Sequence, residues 1–305
     1  MCGIVGLFIK NPELSSKLGD HLTTMLIGMT ERGPDSAGIA IYHHDRDDDA
    51  AKLTLFHPDM DYAWRQLGGG IAEALEVETD VDIKNNHAVV TVFGGDEAAA
   101  RAWIKETHPE VRVMGYGRTM EVYKDMGKPA DVADKFGVRA MTGTHGIGHT
   151  RMATESLVTT EHSHPFTAAS DICLVHNGSL ASPNRMREWL EQRGMEFETD
   201  NDTEVAARYF AYRMSEGATL NEALEAGLKD LDGFYTFCLG TRGGFAVLRD
   251  PIACKHAVLA ETDDWVAMAS EFRSIAPLPG SDTATIWEPK PQTIYTWGVD
   301  AQATH

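Results

Sequence analysis

The stretch Met1-Cys2-Gly3-Ile4-Val5-Gly6-Leu7-Phe8 puts a thiol at the second position, directly before a short apolar segment of strand character. Removal of Met1 would leave Cys2 with a free α-amine on the same residue as its thiol. The amine has a reference pKa of about 7.7–8.0 and the thiol about 8.5, so near neutral pH the amine is partly free to accept the thiol proton. That arrangement is a nucleophile activated by its own N-terminal amine. The plainer reading is a small cysteine buried on a first strand. An attack on an amide carbonyl would further require oxyanion donors, a cation for a substrate carboxylate and an anion for a substrate ammonium. The sequence offers each in loops at expected strand ends. Asn177 carries a donor amide, and Gly178 lets its backbone N–H approach closely. Arg151 can hold a carboxylate bidentately, and Asp202 can pair with an ammonium. Each has an ordinary alternative: a turn for Asn-Gly, a surface ion pair for Arg151, a helix N-cap for Asp202. Taken together with Cys2, they describe a site for a molecule with an amide at one end and an amino-acid head at the other, which is glutamine.

A metal hydrolase is the rival. His145 and His149 are four residues apart, and His162-Ser163-His164 adds two imidazoles. That spacing joins ligands on a helix face, but here it falls on a Gly-rich strand with no carboxylate at the usual distance. Cys2, Cys173, Cys238 and Cys254 show neither metal nor redox spacing. No metal and no resident cofactor are expected. Gly94-Gly95-Asp96 at a strand-to-helix turn could hold an anion, but without further glycines it reads as an ordinary turn.

The elements that must position these groups follow from pattern. The 305 residues carry 27 basic and 46 acidic side chains, a net charge of −19, which disfavours nucleic acid and anionic membranes as partners. No apolar run reaches membrane-spanning length, and the N-terminus lacks the basic-then-apolar pattern of a secretory signal. A reducing, cytoplasmic setting is expected. Leu18, Leu22, Met25, Leu26 and Met29 lie at helical spacing within 14–32, and Gly33-Pro34 ends that helix. Strands are expected over 36–42, 88–93, 146–154 and 172–175, the last leading into His176-Asn177-Gly178. Helices are expected from Asp96 to Glu106, Pro183 to Arg193, Asp202 to Ser215 and Leu220 to Leu231, followed by four further strands. Residues 43–140 read as a small α/β unit inserted into one domain spanning 2–305. Strands packed between groups of helices give a layered α+β fold.

Several ordered motifs also resemble a known family. Met1-Cys2-Gly3-Ile4-Val5-Gly6, Arg32-Gly33-Pro34-Asp35-Ser36-Ala37-Gly38, Gly148-His149-Thr150-Arg151, His176-Asn177-Gly178 and Asp200-Asn201-Asp202-Thr203-Glu204 are similar to those of class II glutamine amidotransferases. Arg249-Asp250-Pro251 and Ala269-Ser270-Glu271 resemble later strands of that family. The resemblance covers about 2–42 and 141–275. It implies a four-layer αββα N-terminal-nucleophile sandwich that hydrolyses glutamine to glutamate and ammonia. It further implies Cys2 as nucleophile, Asn177 and Gly178 as the oxyanion hole, Arg151 on the glutamine carboxylate and Asp202 on its ammonium. Thr154 and His164 match positions near the substrate, and Arg32 matches a loop that closes over the site. Met152, Glu155 and Asn201 depart from the residues common in relatives. The sequence has no P-loop, flavin barrel, iron–sulfur cysteine cluster or phosphoribosyl domain to use the ammonia. The pattern is most similar to a detached glutaminase subunit of the glutamate-synthase type, including the amidotransferase-like subunit of N-methylglutamate synthase. That resemblance implies partner subunits carrying flavin and iron–sulfur centres. A catalytically silent scaffold of the same complex is the alternative.

Overall fold

A computed structural model describes residues 2–44, 49–152 and 158–298. The first part of the chain runs β1 (Gly3–Ile9), α1 (Leu18–Ile27), β2 (Ser36–Tyr42), β3 (Ala50–Phe56), α2 (Trp64–Leu75), β4 (Glu78–Lys84), β5 (His87–Phe93) and α3 (Glu97–Thr107). It continues through β6 (Arg112–Gly117), β7 (Met120–Met126), α4 (Pro129–Phe136), β8 (His145–Arg151), β9 (Phe166–Ala169) and β10 (Ile172–Leu180). The last part is α5 (Pro183–Glu191), α6 (Asp202–Ser215), α7 (Leu220–Asp230), β11 (Gly233–Thr241), β12 (Gly244–Arg249), β13 (Val258–Glu261), β14 (Trp265–Ala269), β15 (Thr285–Trp287) and β16 (Ile294–Gly298).

Two antiparallel sheets form the centre. One has the order β15-β13-β14-β1-β8-β2-β7, the other β16-β12-β11-β10-β9. Their strands read as nearly continuous apolar runs because both faces are covered. In β1, Val5, Leu7 and Ile9 face α1 and α4, while Ile4 faces the second sheet. In β10, Leu174 meets the α5–α7 layer, and Cys173 and Val175 point between the sheets. The two-residue period thus supplies three parallel core layers from one set of strands. The result is helix, sheet, sheet, helix, the αββα sandwich expected from the sequence. Burial between the sheets pushes the Cys173 thiol up to about 12, so this cysteine is inert packing.

Within the segment 43–140, residues 50–117 build a sheet of their own, ordered β4-β5-β3-β6 and covered by α2 and α3. The remainder does not stand apart: β7 pairs with β2 over its whole length, and α4 packs with α1. The Asp171 carboxylate ties the two parts, accepting from the backbone N–H groups of Arg118, Thr119 and Met120 at 2.8–3.0 Å.

One local expectation is corrected. The loop expected at His176-Asn177-Gly178 is instead strand, since β10 continues through all three to Leu180. Asn177 pairs opposite Thr236 and Gly178 opposite Tyr235. Gly178 permits this with φ 151°, and a Cβ there would collide with the Phe234 carbonyl.

Candidate functional site

The site lies where the central strands end. Gly3 pairs with Thr150, which sets Cys2 beside Arg151 at the margin of the first sheet. On the other side of β8, Ser36 pairs with Arg151 itself. The second sheet is brought to the same margin by one cross-sheet bond, in which His149 Nε2 donates to the His176 carbonyl at 3.0 Å. Asn177 is the next residue along β10.

The start of β1 is held on three sides. Ile4 N–H donates to Ser270 Oγ at 3.0 Å, and Ser270 N–H returns a bond to the Ile4 carbonyl at 2.9 Å. Arg32 Nε donates to the Cys2 carbonyl at 2.9 Å, and its Nη1 pairs with Glu271 Oε1 at 2.6 Å. Arg32 is buried, so this guanidinium fixes the backbone at Cys2. The Glu271 carboxyl is held below the usual range, first by that bond from Arg32, with Arg273 adding to it. Cys2 itself is half-buried and is not in a disulfide.

Asn177 is 2% exposed, and its Nδ2 has no acceptor among the described residues. A buried amide donor without a partner costs about 1–3 kcal/mol, so its persistence calls for an explanation. Asp202 opens α6. Asn201 takes the cap position expected of it, accepting from Thr203 N–H at 2.8 Å. That leaves the Asp202 carboxylate free to accept from Leu180 N–H at 2.9 Å and to face His176 Nδ1 at 3.7 Å. Burial raises its pKa, but His176 and the Leu180 and Thr203 N–H groups outweigh this and hold it below the usual carboxylate range.

Behind these groups sits a buried histidine cluster. The Thr203 hydroxyl joins His164 Nε2 at 2.7 Å and His176 Nδ1 at 3.0 Å, and with one proton and two lone pairs it can serve both rings. His164 stacks on His149 with centroids 3.8 Å apart. Burial drives His149 down to about 3 and His164 well below its ordinary value, which keeps both rings neutral. The loop carrying His164 is held by Lys124, whose buried ammonium donates to the Ser163 carbonyl at 2.8 Å and to those of Glu161 and Pro165 at 3.2 Å. Burial lowers Lys124 to about 8. Arg151 is 6% exposed, and its Nη1 reaches the His162 carbonyl at 3.4 Å.

Cys2, Arg151, Asn177, Gly178 and Asp202 therefore belong to one margin, with Arg32 and His164 supporting it from beneath. Thr154 and Glu155 fall outside the described residues, as does Met1. Three supporting residues were not singled out from the sequence. Thr203 and Glu271 sit inside motifs already noted, so adjacency could have found them; Lys124 comes from β7 and no sequence signal marks it. Among the described residues, no three His, Cys, Asp or Glu side chains are grouped to hold a metal. His145 has both ring nitrogens engaged, by Thr144 Oγ1 and the Thr241 carbonyl. The margin offers a thiol, an oriented amide donor, a guanidinium and a carboxylate, the set that acyl transfer from an amino-acid amide requires.

A family profile described as a glutamine amidotransferase domain matches residues 149–277. The glutamine amidotransferase-like protein GlxB of Rhizobium meliloti (strain 1021) is 52% identical over 299 residues, covering 97% of this chain and 98% of that protein. A putative glutamine amidotransferase of Methanothermobacter thermautotrophicus is 32% identical, with 98% and 100% covered. Among solved structures, the glutamine phosphoribosylpyrophosphate amidotransferase of B. subtilis superposes with a TM-score of 0.63 at 18% identity. That match covers 98% of this chain but 48% of the larger protein, so it speaks for the fold alone.

Proposed function

This chain belongs to the class II glutamine amidotransferases, and from that premise we propose that its margin site hydrolyses glutamine through a Cys2 thioester. In this reading the α-amine of Cys2, freed by loss of Met1, takes the thiol proton. The thiolate adds to the side-chain amide carbon, and the oxyanion is met by Asn177 Nδ2 and the Gly178 N–H. Collapse breaks the C–N bond and the protonated amine returns its proton, so ammonia leaves. Water then cleaves the thioester, giving glutamate and restoring Cys2. Arg151 holds the substrate carboxylate bidentately and Asp202 its ammonium. Thr154, His164 and Arg32 complete the pocket, His164 through Thr203 and Arg32 through the Cys2 carbonyl.

The observation that carries the reading is the buried Asn177 amide. Its orphaned N–H lies one residue past the cross-sheet bond from His149 to the His176 carbonyl. A donor kept unpaired at that cost is one aimed at charge that develops only during reaction.

We further propose that the ammonia passes to a separate synthase subunit of the glutamate-synthase or N-methylglutamate-synthase type, carrying flavin and iron–sulfur centres, in the cytoplasm. No helix among the described residues is long and apolar enough to cross a membrane. Residues 50–117 are proposed as a module inserted in the single amidotransferase domain. The test is glutamate release from glutamine by the full chain, with intact mass establishing that Met1 is absent. Processed, folded chain that releases no glutamate alone or with its co-purifying partners would refute the reading.

A further inference from the structure

A cleft of about 940 Å³ opens between the third sheet and the helical layer, on the far side of Lys124 from the histidine cluster. One wall is α3 and β6; the other is the α5–α6 connection and the first turns of α6. Its size is that of a small-molecule site. Two guanidinium nitrogens lining it, Arg101 Nε and Arg208 Nε, are shielded from solvent and make no hydrogen bond among the described residues. Both arginines sit in long ion pairs, Arg101 through Nε itself to Glu97 Oε1 at 3.4 Å and Arg208 through Nη2 to Glu204 Oε1 at 3.5 Å. Arg101 Cζ lies over the Tyr116 ring, 3.9 Å from its centroid, which helps to hold the guanidinium at that wall. Arg112 adds a third cation to the same wall.

Acidic residues also line the cleft, and their engagements decide its character. Glu196 is paired with Lys105. Glu204 is saturated by Glu198 N–H, Thr199 N–H and Thr199 Oγ1 at 2.7–2.9 Å. Glu191 and Glu198 are exposed on the opposite wall, and the half-buried Glu161 lies toward Lys124. The unmet buried groups are guanidinium donors, and guanidinium forks suit planar or tetrahedral oxyanions.

We propose that this cleft is a binding site for a small oxyanion-bearing metabolite, carboxylate or phosphate, seated on Arg101 and Arg208, and that its occupancy tunes the affinity of the glutamine site. The route is short. Arg208 touches Glu204, Glu204 shapes the backbone at Glu198 and Thr199, and Thr199 Oγ1 accepts from Asn201 N–H at 3.3 Å. Asn201 caps the helix whose first residue is Asp202. An anion anchored on Arg208 ties that segment to the α3 wall. The binding half stands on the cleft alone; the tuning half rests on the glutamine reading given above.

The test uses the full processed chain and two probes, inorganic phosphate and glutarate, in calorimetric titrations. Saturable binding of at least one is expected, weakened about tenfold or more in Arg101→Gln and Arg208→Gln. Unchanged melting temperatures keep those variants interpretable. Preference for glutarate or for phosphate identifies which oxyanion the cleft serves. The site is overturned if neither probe binds, if binding survives both substitutions, or if it is lost only in Arg151→Ala, which would place the probe in the glutamine site. The saturating probe is expected to lower the glutamine KM in wild type and not in Arg208→Gln. Binding with no change in KM overturns the tuning. A chain inactive on glutamine leaves the titrations fully readable, so the two failures are separate.

Discussion

Strand β8 carries a buried histidine near each end, and the two ends differ in kind. At one end His145 stacks on Tyr42 with centroids 4.2 Å apart and has both ring nitrogens bonded. At the other end His149 bonds through Nε2 alone, and its Nδ1, His164 Nδ1, His176 Nε2 and Asn177 Nδ2 all lack partners among the described residues. Both ends are equally buried, so burial does not separate them. Satisfaction does. A closed polar network secures packing, whereas an open one holds groups ready for something not yet present. The proposed reactive margin is recognisable here by its unmet polar atoms more than by its shape.

The sharpest way to break this contrast is at the nucleophile. Cys2→Ala should lower glutamine turnover by about 10⁴-fold or more with the melting temperature unchanged, since in the proposed mechanism Cys2 supplies the attacking atom. Residual turnover near wild type, on protein of confirmed mass, would move the chemistry elsewhere. Next comes the open donor itself. Asn177→Ala should cost about 10²–10³ in kcat, the usual effect of losing one oxyanion donor, with little change in KM. It should also be neutral or stabilising to the fold, because it removes an unpaired buried amide. A matched loss of stability without a kinetic defect would show that the amide is structural.

How much of this was legible beforehand follows the same division. Groups proposed to act through their own chemistry, such as Cys2, Arg151, Asn177 and Asp202, lie in motifs that could be named from the sequence, and the fold brings them to one margin. The strand over Ser36–Tyr42 was legible from its apolar run, and the helix expected within 14–32 is present but shorter, Leu18–Ile27, because the chain tightens into 3-10 turns at Pro12–Lys17 and Thr30–Arg32. The third sheet was read only in part. Helix α2 contains Gly68-Gly69-Gly70, which local propensity reads as a break, yet Trp64, Leu67 and Ile71 bury one face against that sheet and override it. Strand β4 is mostly polar because its pleat is half exposed, so it showed no apolar run. Lys124 was invisible because its role is three main-chain carbonyls some forty residues away. Such bonds leave no signature of side-chain type at either end.

A middle-sized effect tests whether binding and chemistry are separable along the margin. Arg151→Ala should raise the glutamine KM by roughly 10- to 100-fold, the loss of a charge-assisted bidentate bond, with a smaller fall in kcat. Arg151→Lys should recover only part of this, since an ammonium cannot form the fork. A KM that does not move would detach Arg151 from the substrate carboxylate and leave it a strand-end support for the His162 carbonyl.

The smallest effect addresses the two histidines directly. Burial lowers His145 and His149 each to about 3, below the reference value near 6.5. For a base whose folded pKa is depressed, the unfolded chain takes up the proton first. The stability each contributes is therefore complete above about pH 6.5 and is lost as pH falls toward 3, at up to about 1.4 kcal/mol per pH unit for each ring. Unfolding free energy measured from pH 7 to 4 should thus decline, and either His145→Gln or His149→Gln should lower the slope by about one proton. In stability the two ends are expected to look alike. In glutamine kinetics at pH 7.5 they should part: His145→Gln leaves kcat and KM in place, while His149→Gln disturbs both by loosening the His176 carbonyl that positions Asn177. If both substitutions altered the kinetics equally, satisfaction of polar groups would no longer distinguish the packed end of β8 from the reactive one. The unmet polar atoms would then have to be read as a cost of packing histidines together.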